Sequence, residues 1–170
     1  MQAKRISAPG SLLSLMVVAA AVALAGCDVV VSGLNAKGRA EQPWSRNYTL
    51  SPNGTVEVVN GNGKIAVRGG EGNQVEVKAQ VVARAATDEQ AQEYLKQIEI
   101  REVVSGDHIR LETTSPRLTG SRAEVQYEIV VPQTASLRLT NTNGQIQVTA
   151  VSGEVRAETT NGGVKGTELS

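Results

Sequence analysis

From residue 53 onward the chain alternates apolar and polar positions in short runs separated by Gly and Asn. Three such runs are Thr55-Val56-Glu57-Val58, Lys64-Ile65-Ala66-Val67 and Gln74-Val75-Glu76-Val77. A period of two puts one face of a strand inward and the other toward water. Gly54, Gly63 and Gly72 stand nine residues apart, and the step returns near the C-terminus at Gly144, Gly153 and Gly162. Each unit reads as a turn that Gly or Asn supplies with a positive φ, followed by a short strand. The turn residues are therefore Gly54, Gly63, Gly72, Asn143, Gly144, Gly153, Asn161 and Gly162.

A period of nine fits an antiparallel meander with Asn-Gly hairpins, or a coil built from two nine-residue halves. The eighteen-residue offset favours the coil: Thr142, Asn143, Gly144, Thr149 and Ser152 are repeated at Thr160, Asn161, Gly162, Thr167 and Ser170. Stacked coils would place Asn143 over Asn161 in a ladder of side-chain amides. The expected fold is all-β, a β-solenoid of the single-stranded β-helix kind with nine- and eighteen-residue repeats and one short inserted helix.

That helix lies between the two repeat blocks. Thr87 is placed to cap it, Asp88 and Glu89 suit its first turn, and Ala91, Tyr94, Leu95 and Ile98 form one apolar stripe. A hairpin follows, Ile98 to Val104 and Ile109 to Thr113 around Ser105-Gly106. Val125, Tyr127, Ile129 and Val131 alternate in a strand that Pro132 ends. Glu124 and Glu128 fall on its outward side, and Arg138, Arg156 and Lys165 sit where they can share an outward face.

The N-terminus has a different composition. Lys4 and Arg5 precede an uncharged apolar run from Leu12 to Ala25, which reads as a secretory signal of residues 1–26 and not as a membrane span. It closes on Leu24-Ala25-Gly26-Cys27, a sequence that resembles the bacterial lipoprotein lipobox. The resemblance implies cleavage between Gly26 and Cys27 and acylation of Cys27, with the membrane as a partner through the acyl chains. Asp28 beside it is similar to an inner-membrane retention signal. Residues 27–50 lack sustained periodicity and read as a lipidated tether to a domain over 51–170.

Composition narrows the function. The full chain has 17 basic and 17 acidic side chains; without Lys4 and Arg5 the balance is 15 against 17, a net charge of about −2 that argues against nucleic acid. Phe is absent and aromatics are 2% of residues, so platforms for stacking bases or sugars are scarce. Cys27 is the only cysteine and forms no internal disulfide. The repeats lack the recurring Asp of calcium-binding rolls. His108, the only histidine, has no second His or free Cys to accompany it. No catalytic residue, metal ligand or cofactor is assigned.

The run Val125-Gln126-Tyr127-Glu128-Ile129-Val130-Val131-Pro132, with Leu137-Arg138-Leu139, Asn143-Gly144-Gln145-Ile146-Gln147-Val148 and Ser152-Gly153-Glu154-Val155, resembles the bacterial "putative adhesin" family over residues 53–170. The resemblance implies an exported β-helix of the cell envelope, often a lipoprotein, sometimes tied to envelope-stress signalling, with no established activity. Such domains continue for several coils beyond the point corresponding to Glu168-Leu169-Ser170, so the reading includes a C-terminal truncation. Two functions are weighed: a lipid-anchored display module for an envelope protein or polymer, and a regulatory lipoprotein acting on a membrane protein. An enzyme acting on envelope glycan is the third and weakest.

Overall fold

Alternation in the sequence becomes alternation in burial. In β2 (Thr55–Asn62) Val56 and Val58 are fully buried, in β3 (Ile65–Gly70) Ile65 and Val67, and in β4 (Gln74–Ala85) Val75 and Val77. The computed structural model describes residues 38–51 and 53–170. Gly26, Cys27 and the segment carrying Lys4, Arg5 and Leu12 to Ala25 lie outside these residues. The remaining elements are β1 (Gly38–Thr49), α1 (Asp88–Leu95), β5 (Glu99–Ser105), β6 (His108–Thr114), β7 (Arg122–Pro132), β8 (Ser136–Asn143), β9 (Ile146–Thr149), β10 (Val155–Asn161) and β11 (Val164–Thr167).

The strands form a six-stranded sheet, β1-β4-β7-β3-β9-β11, and a five-stranded sheet, β10-β8-β2-β6-β5. Their inner faces share one core, in which Val58, Leu111 and Leu139 of the smaller sheet join Ile65, Val77, Tyr127 and Ile146 of the larger. Both sheets are mixed. β4 pairs antiparallel with β1 and with β7, and β5 pairs antiparallel with β6, whereas β3, β7, β9 and β11 pair in parallel, as do β6, β2, β8 and β10.

The expected β-solenoid is therefore corrected. A uniform stack of nine-residue halves requires strands of one length running in parallel. Here β1 and β4 are 12 residues long and antiparallel, and the β5–β6 hairpin ends the other sheet. The eighteen-residue offset is realised locally, where Leu137 pairs with Val155 and Ile146 with Val164. The tether reading is also corrected over residues 38–49, which are an edge strand. Ala40, Trp44 and Tyr48 pack inward there, and the polar residues between them hide the period.

The turn residues divide by geometry. Gly63 (φ 119°), Gly72 (φ 80°) and Gly144 (φ 131°) have positive φ, and Gly54, Gly153 and Gly162 do not. At Gly153 and Gly162 the constraint is close approach: a Cβ would stand 2.2 Å from the Ala135 carbonyl oxygen and 2.0 Å from that of Gly144. Asn143 and Asn161 end strands and supply side chains to a column. Asn161 Nδ2 donates to Asn143 Oδ1 at 2.9 Å, and Asn143 Nδ2 donates to Asn62 Oδ1 at 2.8 Å. A second, inward column places Asn60 beside Asn141. Their Nδ2 groups donate to the carbonyls of Val125 and Gly63 at 2.9 and 2.7 Å, tying β2 to β7 of the other sheet and β8 to the β2–β3 crossing.

Thr87 caps α1, its Oγ1 accepting from the Gln90 N–H at 3.3 Å. The helix packs on small side chains of the larger sheet, Ala91 against Ala40 and Ala85, and Tyr94 against Ala83 and Ala123.

Tyr127 is 1% exposed and its hydroxyl is 2.7 Å from Thr113 Oγ1. Burial pushes its pKa up from 10 to about 12, against a smaller lowering by the Thr113 contact. The folded chain thus holds this proton more tightly than the unfolded one. Its contribution is complete below pH 10 and is lost as pH rises from 10 to 12, at about 1.4 kcal/mol per pH unit. Urea unfolding followed by Trp44 fluorescence should show a shallower alkaline loss in Tyr127→Phe than in the parent chain. Tyr48, raised chiefly by burial and then by its bond to Glu102, is common to both.

Candidate functional site

The outward face of the five-stranded sheet gathers charge. Register aligns Val103 of β5, Arg110 of β6, Glu57 of β2, Arg138 of β8 and Arg156 of β10 in one row across the strands. Neighbouring strands stand about 4.8 Å apart, so these side chains are direct neighbours. The row on one side is Glu112, Val59, Thr140 and Glu158, and that on the other is His108, Thr55 and Ser136.

Glu57 is the hub of this face. One carboxylate oxygen, Oε1, accepts from Arg110 Nη1, and the other stands 3.1 Å from His108 Nε2. Arg110 Nη2 also reaches Glu112 at 3.2 Å. At the β10 edge Arg156 donates from Nε and Nη2 to Glu158 Oε1 at 3.0 and 2.8 Å. Arg138 lies between Glu57 and Arg156 and makes no ion pair among the described residues. It lines a shallow depression with Glu57, Thr140, Glu154, Arg156 and Glu158.

The chemistry available here is charge-assisted hydrogen bonding. His108 is held by Glu57, and among the described residues no hydroxyl or thiol is hydrogen-bonded to its ring. No group of three His, Cys, Asp or Glu side chains could hold a metal ion among the described residues. The guanidinium of Arg138 presents a planar fork of donors, which suits a carboxylate or phosphate.

Sequence reasoning placed Arg138 and Arg156 on one outward face, and register aligns them. Lys165 belongs elsewhere. It pairs with Gln147 in the six-stranded sheet, whose outward row continues through Ala66, Glu128, Lys78 and Ser45. Glu57 and Arg110 were not singled out from the sequence, because their meeting depends on a parallel pairing between strands 53 residues apart. Their alternate positions beside Val56, Val58, Ile109 and Leu111 did mark them as outward. The predicted turn residues belong to the frame, and Gly26 and Cys27 lie outside the described residues.

The larger sheet has its own outward depression, lined by Pro43, Ser45, Lys78, Gln80, Gln126 and Glu128. Its cation is engaged, with Lys78 Nζ 2.7 Å from Glu76 Oε1.

The chain matches no family model and no curated protein sequence. Among solved structures it is similar to a "putative cell adhesion protein" from Clostridium sporogenes, at 20% identity and a TM-score of 0.39, covering 74% of this chain and 59% of that one. It is also similar to a "putative adhesin" from Bacteroides fragilis, at 9% identity and a TM-score of 0.35, covering 72% and 61%. A "putative lipid binding protein" from Parabacteroides distasonis matches at 12% identity with a TM-score of 0.30, covering 75% and 60%. The chain spans about three fifths of the length of these structures.

Proposed function

We propose that this domain is a non-catalytic binding module of the bacterial cell envelope, tethered by acylated Cys27, that receives an extended carboxylate-bearing ligand across its five-stranded sheet. The observation that carries the reading is Arg138, a guanidinium without an acidic partner among the described residues, set in a row with Arg110 and Arg156. A flat strand surface presents such side chains at fixed spacing, and a rigid scaffold lets them engage a linear partner without reordering. The lipobox and the uncharged run before it support the envelope placement.

The test is fluorescence anisotropy with labelled polyglutamate and, separately, polygalacturonate, each at low and at physiological salt. A charge-assisted hydrogen bond contributes about 1.5–3 kcal/mol, so Arg138→Glu should weaken binding about tenfold or more, and salt should weaken the parent's binding. Binding of one polymer alone identifies the ligand as peptide or glycan. Equal binding by the parent chain and Arg138→Glu refutes the assignment.

A further inference from the structure

The geometry points to Glu57 as an internal competitor for Arg138, held off it by His108, which acts as a positioning residue for the binding face. The consequence for binding rests on the ligand reading above, while the first readout needs no ligand.

Register alone gives Glu57 two equivalent cations. Arg110 stands directly opposite it on β6 and Arg138 directly opposite it on β8, each in a parallel pairing. Neighbouring strands are about 4.8 Å apart on either side, so a carboxylate here is within reach of both guanidinium groups. It is found on one of them. Oε1 accepts from Arg110 Nη1, and Arg138 makes no ion pair among the described residues.

The adjacent row breaks the tie. Thr55 of β2 pairs with His108 on the β6 side and with Ser136 on the β8 side. The imidazole reaches diagonally, placing Nε2 3.1 Å from Glu57 Oε2. An ionised carboxylate only accepts, so Nε2 carries the proton and donates. Ser136, with a single hydroxymethyl, makes no such bond among the described residues. Both oxygens of Glu57 are thus engaged from the β6 side, where Arg110 is fixed in turn by Glu112 at 3.2 Å.

The other acids near Arg138 do not take this part. Glu158 is held by Arg156, through Nε and Nη2. Glu154 lies diagonally, since Arg138 pairs with Arg156 two positions on. Release of Glu57 by His108 would leave Oε2 without its donor and let it turn to Arg138, the guanidinium that a ligand carboxylate needs. Apparent affinity then falls with the fraction of Arg138 still available.

The test is arginine modification of the full chain with phenylglyoxal, read residue by residue by peptide mass spectrometry. An ion-paired guanidinium reacts more slowly than a solvated one. Arg138 should react about threefold more slowly in His108→Leu than in the parent. His108→Gln, whose amide can still donate to Glu57, should retain the parent rate. In a Glu57→Gln background His108→Leu should change nothing, whereas in a Glu154→Gln background it should still slow the reaction. Arg156 serves as the internal reference, and circular dichroism reports folding of each variant. Binding of labelled polyglutamate or polygalacturonate should weaken about threefold in His108→Leu, and only while Glu57 is present. The proposal is overturned if Arg138 reacts equally in the parent and His108→Leu, or if the slowing persists without Glu57. If the slowing depends on Glu57 while neither polymer binds the parent, the positioning role stands and the ligand reading falls. If polymer binding depends on Arg138 but not on His108, the ligand reading stands and the positioning role falls.

Discussion

Gly144→Ala should lower the unfolding free energy by about 3 kcal/mol, among the largest single losses in the domain. Two costs coincide there. The residue has φ 131°, a region L side chains rarely adopt, and an added Cβ would stand 2.1 Å from the Gly63 carbonyl oxygen and 3.1 Å from Asn141 Nδ2. Backbone oxygen cannot move aside without breaking the crossing, and the Asn141 amide that would be pushed also donates to Gly63. Gly72 is the internal control. Its φ is 80°, but nothing lies within 4 Å of a built Cβ, so Gly72→Ala should cost about 1 kcal/mol from backbone strain alone. Urea unfolding of both variants separates the terms: equal losses would mean that the close approach at Gly144 contributes nothing.

Leu139→Ala should cost about 3 kcal/mol, the transfer of the side chain plus the cavity left behind. Leu139 is 1% exposed and lies between Val58 of β2 and Ala157 of β10. The fully formed strands on either side hold the gap open, so little of it can collapse. Val103→Ala removes apolar atoms from a side chain 55% exposed on β5 and should stay within about 0.5 kcal/mol. If the two variants unfold at the same urea concentration, the shared core does not carry the stability assigned to it.

Local signals in the sequence were sound guides. Thr87 caps α1, Ala91 and Tyr94 bury its stripe, Pro132 ends β7, and a turn at Gly106-Asp107, one residue on from the expected Ser105-Gly106, separates β5 from β6. Each depends on residues within a few positions of one another. Like residues at an offset of eighteen also revealed the β8–β10 and β9–β11 register, because identical side chains stack best on themselves. Architecture was not legible in the same way. The inward row of β1 includes Gln42 and Arg46 among Ala40, Trp44 and Tyr48, so its polar content read as tether. Nothing local in β4 announces that both its neighbours run antiparallel to it. The charged row was half legible: alternation marked the outward positions, and only the pairing of distant strands shows that Glu57 stands between Arg110 and Arg138.

The parallel pairings that build the core also set the order of its assembly. Asn62 of β2 meets Asn143 of β8 across 81 residues, and Ile65 of β3 meets Ile146 of β9 at the same separation. β2 and β3 each gain one neighbour early, β6 and β7, but their other edges stay unpaired until β8 and β9 have been made, past residue 149. The β5–β6 hairpin forms on a microsecond scale, but the long loops must close before the remaining contacts repay their entropy. Refolding is therefore slow relative to a helical domain of this length, and the Val- and Ile-rich strands near residue 60 keep one edge unpaired until β8 and β9 have been made.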